Sequence, residues 1–182
     1  LPWRAVGPVK TGARIEAIAI PRGNTGTIYA GVGTGNLWKT VNNGLTWTPI
    51  FEHESAFAIG DVAVAPSDPK TVWVGTGEAQ PRFAGYAYGG SGVFKSVNGG
   101  ASWRSMGLAE TQHIAKVLIH PSDPNVVYVA AMGRQWTPNP DRGVFADRLD
   151  AVLRLILIAG LLRRLREGGN NARRDQRDRQ AG

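Results

Sequence analysis

By sequence, Asp61 and Glu78 are the carboxylates best placed to do chemistry. Glu78 follows Val72-Trp-Val-Gly-Thr-Gly77 and Asp61 precedes Val62-Ala-Val64, so antiparallel pairing of these stretches brings both acids to one end of a sheet. Hydrolysis of a glycoside needs two carboxyl groups about 5.5 Å or roughly 6.5–9.5 Å apart. Glu52, Glu54 and Asp141 are further acids in connections, whereas Asp68 and Asp123 lie in Pro-Ser-Asp-Pro turns, where a carboxylate serves its own backbone. The long connection Glu78–Ser91 also offers Arg82, Phe83, Tyr86 and Tyr88, and a later one offers Gln135, Trp136 and Asn139. Exposed aromatics beside Arg suit sugar stacking or peptide recognition. The same rings could instead fold back and fill the interior.

Several chemistries are excluded or disfavoured. The chain has no Cys, hence no disulfide framework and no Cys-ligated zinc. His53, His113 and His120 lack the spacing of a metal motif, so no metal or cofactor is expected. Gly31-Val-Gly-Thr-Gly35 leads into another strand and not a helix N-terminus, which removes a phosphate-binding loop. The longest apolar run, Leu155–Leu162, is far shorter than the ~20 residues of a membrane-crossing helix. The 182 residues carry a net charge of +7, but residues 146–182 hold nine Arg, no Lys and five acids, and no aromatic follows Phe145. Basic residues without interleaved stacking aromatics argue against a nucleic-acid partner. The chain opens Leu-Pro-Trp-Arg, from which no compartment can be read.

The elements that must position these residues come from a repeat. Ile18-Ala-Ile-Pro21 with Thr27-Ile-Tyr-Ala30, Val62-Ala-Val-Ala-Pro66 with Thr71-Val-Trp-Val74, and Val117-Leu-Ile-His-Pro121 with Val126-Val-Tyr-Val129 each read as a strand, a turn and an aromatic-bearing strand. A third strand follows at Asn36-Leu-Trp-Lys-Thr40, at Gly92-Val-Phe-Lys-Ser96 and, cut short, at Gly143-Val-Phe145. A fourth begins at Trp47 and at Trp103. Four antiparallel strands per roughly 50 residues form a β-propeller blade. The fold expected is all-β: a propeller fragment of two to three four-stranded blades over residues 1–145, the remaining blades belonging to a longer parent chain. Trp3–Gly7 could add a strand, and a β-sandwich is the alternative architecture. Residues 146–182 form an Arg-rich tail, either a helix over 148–166 with a disordered end or the product of an out-of-frame reading.

Thr40-Val-Asn-Asn-Gly-Leu-Thr-Trp47 and Ser96-Val-Asn-Gly-Gly-Ala-Ser-Trp103, offset by 56 residues, resemble the Asp-box or BNR repeat, with Asn42 and Asn98 in place of its usual Asp. Gly44 and Gly100 suit φ > 0, a side-chain oxygen of Asn42 or Asn98 can accept from turn N–H groups, and Trp47 and Trp103 would pack between sheets. With Trp3-Arg-Ala-Val-Gly-Pro8, Ile59–Pro66, Val72–Glu78 and His120–Asn125, residues 1 to about 145 resemble bacterial BNR-repeat proteins related to the sortilin (VPS10) propeller and often labelled glycosyl hydrolases. The resemblance implies an exported, extracellular or periplasmic protein.

A thinner similarity to xyloglucan-cleaving propellers implies a catalytic Asp in the first blade's strand 2–3 connection, where this chain has Gly31–Gly35 and no acid. The expected function is therefore non-catalytic recognition of a protein segment or glycan. A propeller glycoside hydrolase acting on a β-glucan such as xyloglucan is the alternative. Counting back five from Pro21, Pro66 and Pro121 gives Glu16, Asp61 and Lys116, which are expected to meet near the propeller axis.

Overall fold

A computed structural model describes residues 14–79, 87–135 and 140–147. Every regular element among them is a β-strand, in three antiparallel sheets. The first sheet has β1 (Ile15–Ala19), β2 (Ile28–Val32), β3 (Asn36–Thr40) and β4 (Thr48–Pro49) in sequence order. The second has β5 (Ile59–Ala65), β6 (Asp68–Thr76), β7 (Val93–Ser96) and β8 (Arg104–Ser105), likewise in order. The third has β9 (Ile114–Ile119), β10 (Val127–Ala131) and β11 (Gly143–Asp147). These are two four-stranded blades and a three-stranded one. β11 runs two residues beyond Phe145, and the fourth strands begin one residue after Trp47 and Trp103. The predicted strand at Trp3–Gly7 and the helix over 148–166 lie outside the described residues.

Because successive side chains point to opposite faces of a strand, each sheet has one face for each neighbour. Tyr29 and Leu37 of the first blade meet Val62, Val72, Val74 and Phe94 of the second. On its other face the second blade presents Trp73 and Val93 to Ile114, Val117, Val127 and Val129 of the third. Aromatic groups pin these interfaces. Tyr29 Oη donates to Gly99 O at 3.2 Å, and its counterpart Trp73 donates its indole N–H to Pro124 O at 3.1 Å. Lys39 lies over Tyr29 and Lys95 over Trp73, each paired across the ladder with its ring and each reaching the next blade, at Gly99 O and Asn125 Oδ1. In the third blade Ala146 stands opposite Tyr128, where the lysine would be.

The outer two faces lack a neighbour among the described residues. Leu37 and Val93 are 0% and 2% exposed, but Val144 at the same strand position is 76% exposed. Ile18 and Ile20 on the first blade and Leu118 on the third are also exposed.

The two Asn-Gly hairpins superpose bond for bond. Thr40 Oγ1 accepts from Asn42 N (3.3 Å) and Gly44 N (2.9 Å), while Asn42 Oδ1 accepts from Thr46 N (3.0 Å). Ser96 Oγ accepts from Asn98 N (3.3 Å) and Gly100 N (2.8 Å), while Asn98 Oδ1 accepts from Ser102 N (2.9 Å). Gly44 and Gly100 have φ of 81° and 90°, a region other residues rarely enter. Trp103 then packs edge-on against Phe51 at 5.2 Å and donates its indole N–H to Ile50 O at 2.8 Å. Trp47 is half-buried as a residue, but its Nε1 is fully buried and has no partner among the described residues.

The register corrects one expectation. Asp61 stands opposite Gly75 and Lys116 opposite Ala130, but the first-blade residue at that position is Ala17, opposite Gly31. Glu16 is skipped by the ladder between Ile15 and Ala17, as Gly60 is between Ile59 and Asp61. The first blade has one residue fewer between this strand and its Pro, so counting back from Pro21 slips by one.

Ser96 is buried and its hydroxyl takes the buried Gly100 N–H. Ser96→Ala should therefore cost about 1–3 kcal/mol in urea unfolding. Ser96→Thr, the residue that does the same work at position 40, should leave the midpoint nearly unchanged.

Candidate functional site

The β2–β3 and β6–β7 connections and the link from one blade to the next share one end of the sheets, and Glu78 stands at the centre of that end. It follows Gly77, whose N–H donates to Ala58 O at 2.8 Å and whose φ of 87° turns the chain out of β6. Glu78 N donates to Tyr88 O and Tyr88 N donates back to Glu78 Oε2, both at 3.0 Å, which closes the stem of the long connection. Ser91 N on Thr76 Oγ1 (2.8 Å) and Gly90 N on Gln112 O (2.7 Å) brace it further. The Glu78 carbonyl meets His113 Nδ1 at 3.0 Å, just ahead of β9.

A charged cluster surrounds Glu78. Arg14 Nη2 lies 2.6 Å from Glu16 Oε1 and 3.4 Å from Glu78 Oε1, and both carboxylates are buried. A Cβ added to Gly33 would stand 3.0 Å from Oε1 of both glutamates. The acid-free first-blade connection is thus the place where two acids from elsewhere converge. Asp61 is engaged differently: its Oδ1 takes Lys116 Nζ at 3.0 Å and its Oδ2 takes Val117 N at 2.7 Å, so both oxygens clasp the third blade. Glu16 pairs with Arg14, and the network splits into two clusters rather than joining Glu16 to Asp61 and Lys116.

Beside this stem lies an exposed aromatic pair. Phe57 and Tyr88, 49% and 52% exposed, meet edge-on with centroids 5.3 Å apart. Ser55 Oγ and Ser91 Oγ lie 2.7 Å apart between the same two segments. Phe57 was not among the residues singled out by sequence. Its position in a blade-to-blade link, which shares the end that carries the long connections, is the signal that could have found it. His113, which fits no metal spacing, carries no sequence signal of its bond to the Glu78 carbonyl.

Of the other residues singled out, Arg82, Phe83, Tyr86, Trp136 and Asn139 lie outside the described residues. Gln135 is half-buried. Asp141 contributes its carbonyl to Thr111 Oγ1 at 3.2 Å. Glu52 is exposed and Glu54 half-buried in the first blade-to-blade link. Asp68 serves its own turn: the Thr71 hydroxyl and Lys70 N–H hold its carboxyl below the usual carboxylate range. No group of His, Asp or Glu among the described residues could hold a metal ion, and no described helix is long and apolar enough to cross a membrane.

No protein-family description matches the chain, and no curated protein does either. Among solved structures it is similar to an ancestral GH74 enzyme, with 24% identity and a TM-score of 0.57 over 74% of this chain and 17% of that protein. It also aligns with the GH74 xyloglucanase from Xanthomonas campestris (23% identity, TM-score 0.48, 80% of this chain and 25% of that one). A third is YCF48 bound to D1 peptide (11% identity, TM-score 0.46, 70% of this chain and 37% of that one). The fold is that of a β-propeller. The chain spans about a sixth of the length of the first of these proteins.

Burial pushes the His113 imidazole below its ordinary value of 6.5, only partly opposed by the hydrogen bond to the Glu78 carbonyl and by the Glu78 charge. A base favoured in its neutral form stabilises the fold above about pH 6.5, and that stability is lost as pH falls through the lower folded-state value. The melting temperature of wild type should therefore drop more steeply between pH 7 and pH 5 than that of His113→Gln.

Proposed function

We propose that this chain is part of an exported, non-catalytic binding propeller of the BNR or Asp-box class, and that it holds a protein segment or a glycan on the end bearing Phe57 and Tyr88. The observation that carries the reading is the division of labour at that end. Both oxygens of Asp61 and of Glu78 are taken up by bonds to Lys116, Val117, Arg14 and Tyr88, while the two aromatic rings stand half in solvent. A general acid must keep an oxygen free for the leaving group. Rings with an apolar body exposed beside polar groups suit stacking on sugar or peptide. Arg82, Phe83, Tyr86, Gln135 and Trp136 are proposed to extend the same surface. The matched Thr/Ser–Asn–Gly hairpins support the Asp-box assignment, and the outer faces, which have no neighbour among the described residues, support further blades in a longer parent.

Glycoside hydrolysis is the second reading, favoured by one observation. Glu16 Oε1 and Glu78 Oε1 lie 2.6 and 3.4 Å from one Arg14 nitrogen, which holds the two buried carboxylates in reach of each other, as a glycosidase requires of its pair.

Titration with xyloglucan oligosaccharides and with a panel of extended peptides separates the two. Phe57→Ala and Tyr88→Ala should each weaken retention of the bound class by about tenfold or more, the weight of a buried aromatic anchor. Glu78→Gln should retain binding, and no variant should release reducing sugar. Turnover by wild type that disappears in Glu16→Gln or Glu78→Gln would overturn the binding reading.

A further inference from the structure

Among the described residues a cavity of about 230 Å³ opens between the second and third blades, lined by Trp73, Val93, Met106, Leu108, Val129 and Phe145. The neighbouring interface shows what such a space is for. There Trp103 sits against Phe51, which in turn meets Phe94 edge-on at 5.1 Å, and its indole N–H is bound by Ile50 O. By the repeat offset of 56, Met106 stands where Ile50 does and Gly107 where Phe51 does. The backbone agrees: Ile50 N donates to Leu37 O at 2.9 Å, and Met106 N to Val93 O at 2.8 Å. Phe145 occupies the strand position of Phe94, so the cavity is the seat of a third tryptophan.

That tryptophan is absent. Trp47 lies nine residues beyond Trp38 and Trp103 nine beyond Phe94, whereas the residue nine beyond Phe145 is Arg154, and no aromatic follows Phe145. Nor do the described residues give the third sheet a fourth strand. In the complete blades the third strand pairs with a fourth through Trp38–Pro49 and Lys39–Thr48, and through Phe94–Ser105 and Lys95–Arg104. Among the described residues β11 pairs with β10 alone.

We infer that the edge of β11 left unpaired among the described residues and the adjoining cavity form a binding site for an extended peptide that carries a tryptophan and adds to the sheet as a fourth strand. The peptide's residues after the tryptophan pair with Phe145 and Ala146, its indole enters the cavity, and the indole N–H is accepted by Met106 O. Main-chain bonds to an open edge give such a complex its affinity and the side-chain pocket gives its selectivity. The site is separate from the Phe57–Tyr88 surface and stands or falls without it.

The test mixes the folded 182-residue chain with a synthetic peptide of the sequence of residues 99–106, Gly-Gly-Ala-Ser-Trp-Arg-Ser-Met. A second peptide has alanine in place of tryptophan. Calorimetry should show the tryptophan peptide binding at least about tenfold more tightly, and amide exchange along β11 should slow on its addition. Met106→Trp, which would fill the cavity from its own wall, should abolish this binding with an unchanged circular dichroism spectrum, while Tyr88→Ala should leave it intact. Equal affinity for the two peptides, or no binding of either, overturns the inference. So does a dimeric chain whose β11 amides are protected before any peptide is added, which would make a second copy the occupant.

Discussion

Three inner strands, β1, β5 and β9, approach so closely at one end that a side chain of one reaches the backbone of the next. Asp61 on β5 accepts the Val117 N–H of β9 at 2.7 Å, and Lys116 neutralises its other oxygen. Such proximity leaves no room for side chains at Gly60 and Gly75, where an added Cβ would collide with Ile114. An edge strand ordinarily leaves N–H groups unpaired. Here a buried carboxylate from the neighbouring blade takes one of them, and it does so because the lysine beside it offsets the cost of burying charge.

Much of this was legible in the sequence because propeller repeats write the same instruction several times. The alternation in Val62-Ala-Val-Ala65 and Val126-Val-Tyr-Val129 marks strands with two covered faces, and the matched Asn42 and Asn98 hairpins mark where strands three and four turn. What was not legible depended on single-residue slips. A skipped residue at Glu16 and a shorter first turn break the Pro-based count, so the first-blade partner of Asp61 is Ala17 and not Glu16. A bulge has no compositional signature when it falls on Glu in one strand and Gly in the next. Nor does sequence mark Lys39 and Lys95 out, yet each lies over a ring and reaches the next blade.

The loop end shows the same limit from the functional side. In the sequence, Asp61 and Glu78 stand out as candidates for chemistry because the two carboxylates share an end of one sheet. The structure commits those groups to neighbouring blades: Asp61 to the third, and Glu78 through Arg14 to the first and through its carbonyl to His113 at the start of the third. Phe57, in an unremarkable link, is left to face solvent with Tyr88. An acid that holds blades together and an acid that transfers protons look alike in sequence. They differ in whether their oxygens are already occupied.

The buried acids at this end are clasps between blades, and amide hydrogen exchange at Val117 reads that role out. In Asp61→Ala the Val117 amide should lose about tenfold or more of its protection, as expected for a hydrogen bond to a charged group. Amides bonded within the β9–β10 ladder should stay slow to exchange. Unchanged protection at Val117 in a folded Asp61→Ala variant would contradict the account.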